Sequence, residues 1–237
     1  AGVINPRELV RAQLILAERE GAKVRCEEVS RIEQHAGSGV SIETIEGNSF
    51  DVQRVLIAAG GFSEPALTGA RLRLDVQGRV VFLVEADEET ASAMPALIAD
   101  DAEGLALSEF YVLPPVLYPD GKRYLKIGTA EYDHPLRSPA DKISWFWGEG
   151  DVRNDIRALQ QTIEALVPSI RNSATQQLRC VITYTATGYP YLDWLNDRTA
   201  LAVGGSGQAA KSSDEIGRLA ARLFAGDERR YPAITTN

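Results

Sequence analysis

The stretch Leu201-Ala-Val-Gly-Gly-Ser-Gly-Gln-Ala-Ala-Lys211 asks for a specific backbone event. Leu201, Ala202 and Val203 read as the end of a buried strand, Gly204, Gly205 and Gly207 allow a tight turn, and residues 208–224 carry helical spacing. A strand, a glycine turn and a helix in that order let the backbone approach a ligand closely. They also aim N–H groups and the positive end of the helix dipole at it. The expected occupant is electron-rich or anionic. Lys211, in the first turn of the expected helix, adds a full positive charge beside the same spot. An ordinary helix start with an exposed lysine is the alternative, because a lone glycine turn is a weak motif.

Upstream, Val55-Leu-Ile-Ala-Ala-Gly-Gly61 is a continuous apolar run closing on glycines. It has the pattern of a central strand covered on both faces, with its carboxyl end opening on a ligand crevice. Ahead of it, Asn5 as cap, Pro6 at the first helical position and Glu8 in a capping box start a helix that Gly21 ends, with Leu9, Leu14, Ile15 and Leu16 on its apolar side. Residues 23–25 and 29–33 read as strand. The alternation of Val40, Ile42 and Thr44, a turn at 46–48 and a return through Phe50 and Val52 complete a small antiparallel layer.

From Arg71 the pattern changes to a second sheet, with strands expected at 79–85, 109–113 and 124–128. Taken singly, Phe110, Tyr111, Tyr118 and Tyr124 are ordinary sheet aromatics. Lys126 lies mid-strand. It faces either solvent, the simpler reading, or an interior site where its charge needs a partner. Asp151 caps an expected helix reaching Leu166, with Ile156, Leu159, Ile163 and Leu166 turned inward, and Trp145 and Trp147 just ahead are packing residues. A strand over 178–187 carries Cys180. The last helix turns Ile216, Leu219, Ala220 and Leu223 inward and stops at Gly226.

Composition narrows the function classes. A chain of 237 residues buries a substantial core in one large or two small domains, and 44% hydrophobic with 24% charged residues is incompatible with wholesale disorder. A net charge of −8 with no basic cluster argues against nucleic acid or an anionic membrane surface as partner. No apolar run is long enough to span a bilayer and no signal-peptide pattern opens the sequence, so a cytoplasmic location is expected. Cys26 and Cys180 stand far apart without metal-ligand spacing, and no metal site is expected. His35 and His134, equally isolated, leave little material for a histidine triad.

Several stretches in order resemble the flavoprotein family of the D-amino acid oxidase type, and most closely its monomeric sarcosine oxidase branch. They are residues 5–24 with Gly21-Ala-Lys-Val24, Val40-Ser-Ile-Glu-Thr44 with Gly47, residues 55–60, Tyr124-Leu-Lys-Ile-Gly128, residues 180–193 and residues 204–217. The resemblance implies an α/β flavoprotein fold that binds FAD, with an inserted mixed-sheet substrate domain. The implied segments are 1–70 and 180–237 for FAD and 71–179 for substrate. It places Gly205, Ser206, Gly207 and Lys211 at the flavin ring, Val29 near the adenine, and Ala59 and Gly60 along the dinucleotide crevice. It gives Lys126 a position over the flavin promoting reaction with dioxygen, which reverses the solvent reading. Lys211 then holds a substrate carboxylate, Tyr111 and Ile182 belong to the substrate pocket, and Cys180 attaches the flavin covalently through sulfur. A buried strand cysteine is the alternative for Cys180.

The departures are equally specific. No G-x-G-x-x-G turn opens the chain, so the resemblance implies the C-terminal part of a flavoprotein that lacks its N-terminal dinucleotide-binding strand, by truncation, by proteolysis or because a second chain supplies the front half. Thr129 and Ala130 follow Gly128 where the family has a histidine two residues on. Ile182 replaces an active-site tyrosine, and Gln208-Ala209 replaces a His-Gly pair. Two functions follow. One is an oxidoreductase that oxidises the C–N bond of a small amine or amino acid by hydride transfer to FAD, with dioxygen or another electron acceptor. The other is a non-catalytic subunit or fragment that needs a partner chain to bind FAD.

Overall fold

The computed structural model of the chain describes residues 3–35 and 39–226; the last residues of the expected C-terminal segment, 227–237, lie outside them. Helix α1 (Pro6–Arg19) precedes strands β1 (Val29–His35), β2 (Gly39–Thr44), β3 (Ser49–Val52) and β4 (Val55–Ile57) and the short helix α2 (Pro65–Thr68). Then come β5 (Leu74–Glu85), α3 (Glu88–Ala93), β6 (Leu97–Ala99), β7 (Phe110–Leu117), β8 (Arg123–Gly128) and β9 (His134–Pro135). Helices α4 (Pro139–Phe146) and α5 (Arg153–Leu166), strands β10 (Thr175–Thr185), β11 (Tyr191–Trp194) and β12 (Thr199–Val203), and helix α6 (Ser213–Ala225) complete the order. The chain divides into two compact units, one of residues 1–5 and 77–181 and the other of residues 6–76 and 182–237.

In the unit of residues 6–76 and 182–237, β1, β2 and β3 form an antiparallel layer, and a second sheet runs in the order β11-β12-β4. Val40, Val55, Ile57 and Leu201 make its buried core, with Ile32, Ile42, Val52 and Leu72 packed around them. Strand β4 pairs parallel with β12, setting Thr199 opposite Val55 and Leu201 opposite Ile57. The expectation of a central strand covered on both faces needs correction. Among the described residues β4 is the sheet's last strand, and Leu56 is 38% exposed.

Helix α1 starts at Pro6 as expected, but its apolar side faces outward. Val10, Leu14, Ile15 and Leu16 are exposed, while Leu9, Gln13 and Ala17 form the half-buried row. Gln13 explains part of the choice, because its side chain donates to Asp214 of α6 at 3.2 Å. Periodicity gives a helix but does not select the row that packs. Residues 23–25 form no strand. Arg25 instead pairs with Glu27 at 3.1 Å and lies 4.8 Å from the centre of the Phe50 ring.

In the unit of residues 1–5 and 77–181, the sheet order is β10-β5-β8-β7-β6, with β9 paired to β5. One face, carrying Phe82, Val84, Val112, Leu125 and Ile127, packs against Leu159 and Ile163 of α5. The other groups Val81, Leu83 and Tyr124 with Tyr111, Tyr118 and Leu178. Register shifts between Leu113 and Val116, where Pro114 and Pro115 have no N–H to give the ladder. Asp151 accepts from the Arg153 N–H at 3.0 Å, but Val152 is the residue at the α5 cap, and Leu166 is exposed rather than inward.

The two tryptophans ahead of α5 separate in role. Trp147 is 83% exposed at the end of α4, which corrects its reading as a packing residue. Trp145 is buried, and its Nε1–H donates to the Cys180 carbonyl at 3.0 Å. The Arg179 guanidinium lies 4.4 Å from its ring centre, and a Cβ on Gly78 would come within 2.5 Å of the indole. Gly78→Ala is therefore expected to cost about 1–3 kcal/mol through overpacking. Urea denaturation checks this, and an unchanged midpoint contradicts the packing described.

Candidate active site

Because β4 and β12 run parallel, their carboxyl ends leave the sheet on the same edge, where open α/β sheets take ligands. After β4, Gly60–Phe62 forms a 3-10 turn behind Ala59. Gly60 has φ +55°, and a Cβ there would meet nothing within 4 Å. Ser63 closes the turn through its N–H to the Gly60 carbonyl at 3.2 Å. Its side-chain Oγ is buried without a hydrogen-bond partner, a state that costs about 1–3 kcal/mol if nothing relieves it.

The turn after β12 differs in kind. Gly204 (φ +90°), Ser206 (φ +50°) and Gly207 (φ +70°) adopt left-handed conformations. A Cβ on Gly204 would collide with the Thr185 methyl, one on Gly205 would lie 2.6 Å from the Ala209 Cβ, and one on Gly207 would lie 3.1 Å from Ile182 Cδ1. The Ser206 N–H donates to the Thr183 carbonyl at 3.0 Å. Gly204 and Gly207 answer to residues of β10 and Gly205 to Ala209 in its own turn, whereas a side chain on Gly60 would meet no neighbour.

The expected helix starting at Gln208 is corrected as well. Residues Ala209–Lys211 form a 3-10 turn, and α6 begins only at Ser213. The Ser212 and Ser213 hydroxyls bond back to the carbonyls of Ala209 at 3.4 Å and Ala210 at 3.1 Å, the local competition that delays a helix. Lys211 is thus exposed in the turn, its Nζ donating to Gln208 Oε1 at 3.2 Å. Val29, the first residue of β1, pairs opposite Thr44 and is 37% exposed.

In the other unit, Lys126, Tyr111 and Cys180 come together. Lys126 is half-buried in β8, opposite Leu83 and Leu113, with Nζ 5.4 Å from the centre of the Tyr111 ring. Tyr111 pairs across from Gly128, where a Cβ would come within 2.5 Å of the tyrosine oxygen, so the missing side chain makes space for the ring. Burial pushes the Tyr111 hydroxyl well above its ordinary range. The Cys180 thiol donates to the Arg79 carbonyl at 3.6 Å. Burial raises its pKa, and the charges of Lys126 and Arg79 oppose that rise. Sequence reasoning missed Arg79 and Trp145 as neighbours of Cys180, because strand pairing and an indole from a distant helix bring them there. Among the described residues no cluster suits a metal ion, and no helix is long and apolar enough to cross a membrane.

A model of the DAO family, FAD dependent oxidoreductase, matches residues 1–223. The chain belongs to this family. No curated protein sequence matches it significantly. Among solved structures it is similar to glycine oxidase from Geobacillus kaustophilus, with a TM-score of 0.68 and 21% identity over 97% of this chain and 57% of that one. Iminodiacetate oxidase from Chelativorans sp. BNC1 gives a TM-score of 0.70 and 15% identity over 95% and 56%. A modified fructosyl peptide oxidase from Aspergillus nidulans gives 0.71 and 16% over 92% and 54%. At these identities the likeness establishes the fold, and the chain spans little more than half the length of each structure.

FAD is the cofactor of this family. The chain fits part of such a group: room over Gly60, an unpartnered buried hydroxyl at Ser63, and a second turn at the same sheet edge. Two results test the geometry. Gly204→Ala is expected to cost at least about 2 kcal/mol more than Gly60→Ala in urea denaturation, since both bear left-handed strain but only the former meets a neighbour. Removing a cation favours the neutral thiol, so Lys126→Met is expected to move the pH profile of Cys180 alkylation upward, read on the Cys180 peptide by mass spectrometry.

Proposed function

We propose that this chain forms part of an oxidoreductase that oxidises the C–N bond of a small amine or amino acid, with dioxygen as acceptor and a cytoplasmic location. Membership of an FAD-dependent family supports the cofactor. The observation that carries the finer reading is the half-buried Lys126 beside Tyr111 on the sheet face near Cys180. A partly desolvated ammonium beside an aromatic ring acts as a fixed cation in a weakly screening environment. Bound FAD supplies the hydride acceptor.

In this reading residues 1–70 and 180–237 serve FAD and residues 71–179 the substrate. Val29, Ala59, Gly60, Gly205, Ser206 and Gly207 line the dinucleotide, and Cys180 holds it covalently through sulfur. The exposed Lys211 ammonium captures a substrate carboxylate; leaving its Gln208 contact costs little, because an exposed hydrogen bond exchanges readily with water. Tyr111 and Ile182 shape the pocket. Lys126 favours the build-up of negative charge on dioxygen.

A second reading has its own observation. The exposed row Val10, Leu14, Ile15 and Leu16 of α1, together with the sheet-end strand β4, suits a chain that binds FAD only with a partner.

A visible spectrum with intact mass separates the two. Flavin bands and a mass raised by one FAD are expected under the first reading, and colour should then be released by acid after Cys180→Ala. Colour released by acid from the unsubstituted protein overturns the covalent link. A colourless protein of unmodified mass favours the second reading. In the flavin-loaded enzyme, Lys126→Met is expected to slow reoxidation by dioxygen about a hundredfold while leaving anaerobic reduction by substrate little changed, measured by stopped flow.

A further inference from the structure

We infer that Ser63 is a binding residue for FAD, its hydroxyl giving or accepting a hydrogen bond with a polar group of the dinucleotide at the carboxyl end of β4. The inference rests on the reading that this chain holds FAD. Ser63 is only 7% exposed and its Oγ is unpartnered, so bulk water does not satisfy it. Buried hydroxyls almost always find a partner, and an exception calls for a cause. Helix capping is not that cause, since the cap of α2 falls at Glu64 and uses no side chain.

The surroundings point to a ligand. Ser63 is tied by its own N–H to the carbonyl of Gly60, a left-handed glycine with no atom within 4 Å of its Cβ position, so a group of the size of a phosphate has room to approach this turn. The turn stands where β4 ends beside its parallel partner β12, the edge at which such sheets take dinucleotides. A hydroxyl, which is both donor and acceptor, suits a phosphate oxygen or a sugar hydroxyl, and because the Oγ is closed to solvent where it stands, it meets such a group by changing χ1 rotamer, a turn of about 120°.

The test uses the full chain carrying Cys180→Ala, so that flavin binds reversibly, and titrates it with FAD as Ser63 (the reference chain, unsubstituted at that position), Ser63→Ala and Ser63→Thr. Flavin fluorescence gives affinity, and melting temperature is followed with and without FAD. Ser63→Ala is expected to bind about tenfold more weakly and Ser63→Thr within about threefold of the unsubstituted chain. Without FAD, Ser63→Ala should melt no lower than the unsubstituted chain, because an unpartnered hydroxyl contributes nothing to the free fold. Equal affinities for Ser63 and Ser63→Ala overturn the inference while leaving FAD binding intact. A lower melting temperature of FAD-free Ser63→Ala overturns it too, by showing that the hydroxyl serves the fold. No FAD binding by the unsubstituted chain overturns both the inference and the reading beneath it.

Discussion

The parallel pairing of β4 with β12 is the constraint on which the candidate site depends. A single register, Thr199 against Val55 and Leu201 against Ile57, brings together two segments more than 140 positions apart and sends both out of the sheet at one edge. Three features stand at that edge because of it: the left-handed Gly60, the buried Ser63 hydroxyl and the left-handed turn from Gly204 to Gly207. An antiparallel pairing of the same strands would have put these turns at opposite ends.

The glycines of the two turns do different work, which their sequence context does not reveal. Gly204, Gly205 and Gly207 are required by Thr185, Ala209 and Ile182, so their smallness is spent on internal packing. Gly60 is required by its backbone angle, and a side chain there would meet no neighbour, as at Gly47, Gly69 and Gly188. A glycine-rich turn is thus not by itself a ligand cradle; the atoms a side chain would meet decide between the two.

Much of the fold was legible because local chemistry set it. Helix α1 starts at Pro6 as its proline implied, alternation gave β2, and Gly226 closed α6. What escaped the sequence was decided by contacts distant in the chain. The outward row of α1 depends on what α6 offers Gln13, the exposed Leu56 on the sheet order, and the role of Trp145 on its reach to the Cys180 carbonyl. The delayed start of α6 was local but finely balanced, because two serines competed for the carbonyls that a helix would use. Of the candidate site, Lys126 was visible as a strand lysine of ambiguous facing. Its half-burial beside Tyr111 came only with the pairing that sets Gly128 under the ring.

The outward apolar row of α1 also has a calorimetric consequence. Heat capacity rises on unfolding because buried apolar surface becomes hydrated, at about 12–15 cal/mol/K per residue in ordinary proteins. A helix of 14 residues in which only Leu9, Gln13 and Ala17 are half-buried and the rest are exposed adds little to that sum. Helix α1 therefore contributes less to the curvature of the stability curve than its length implies.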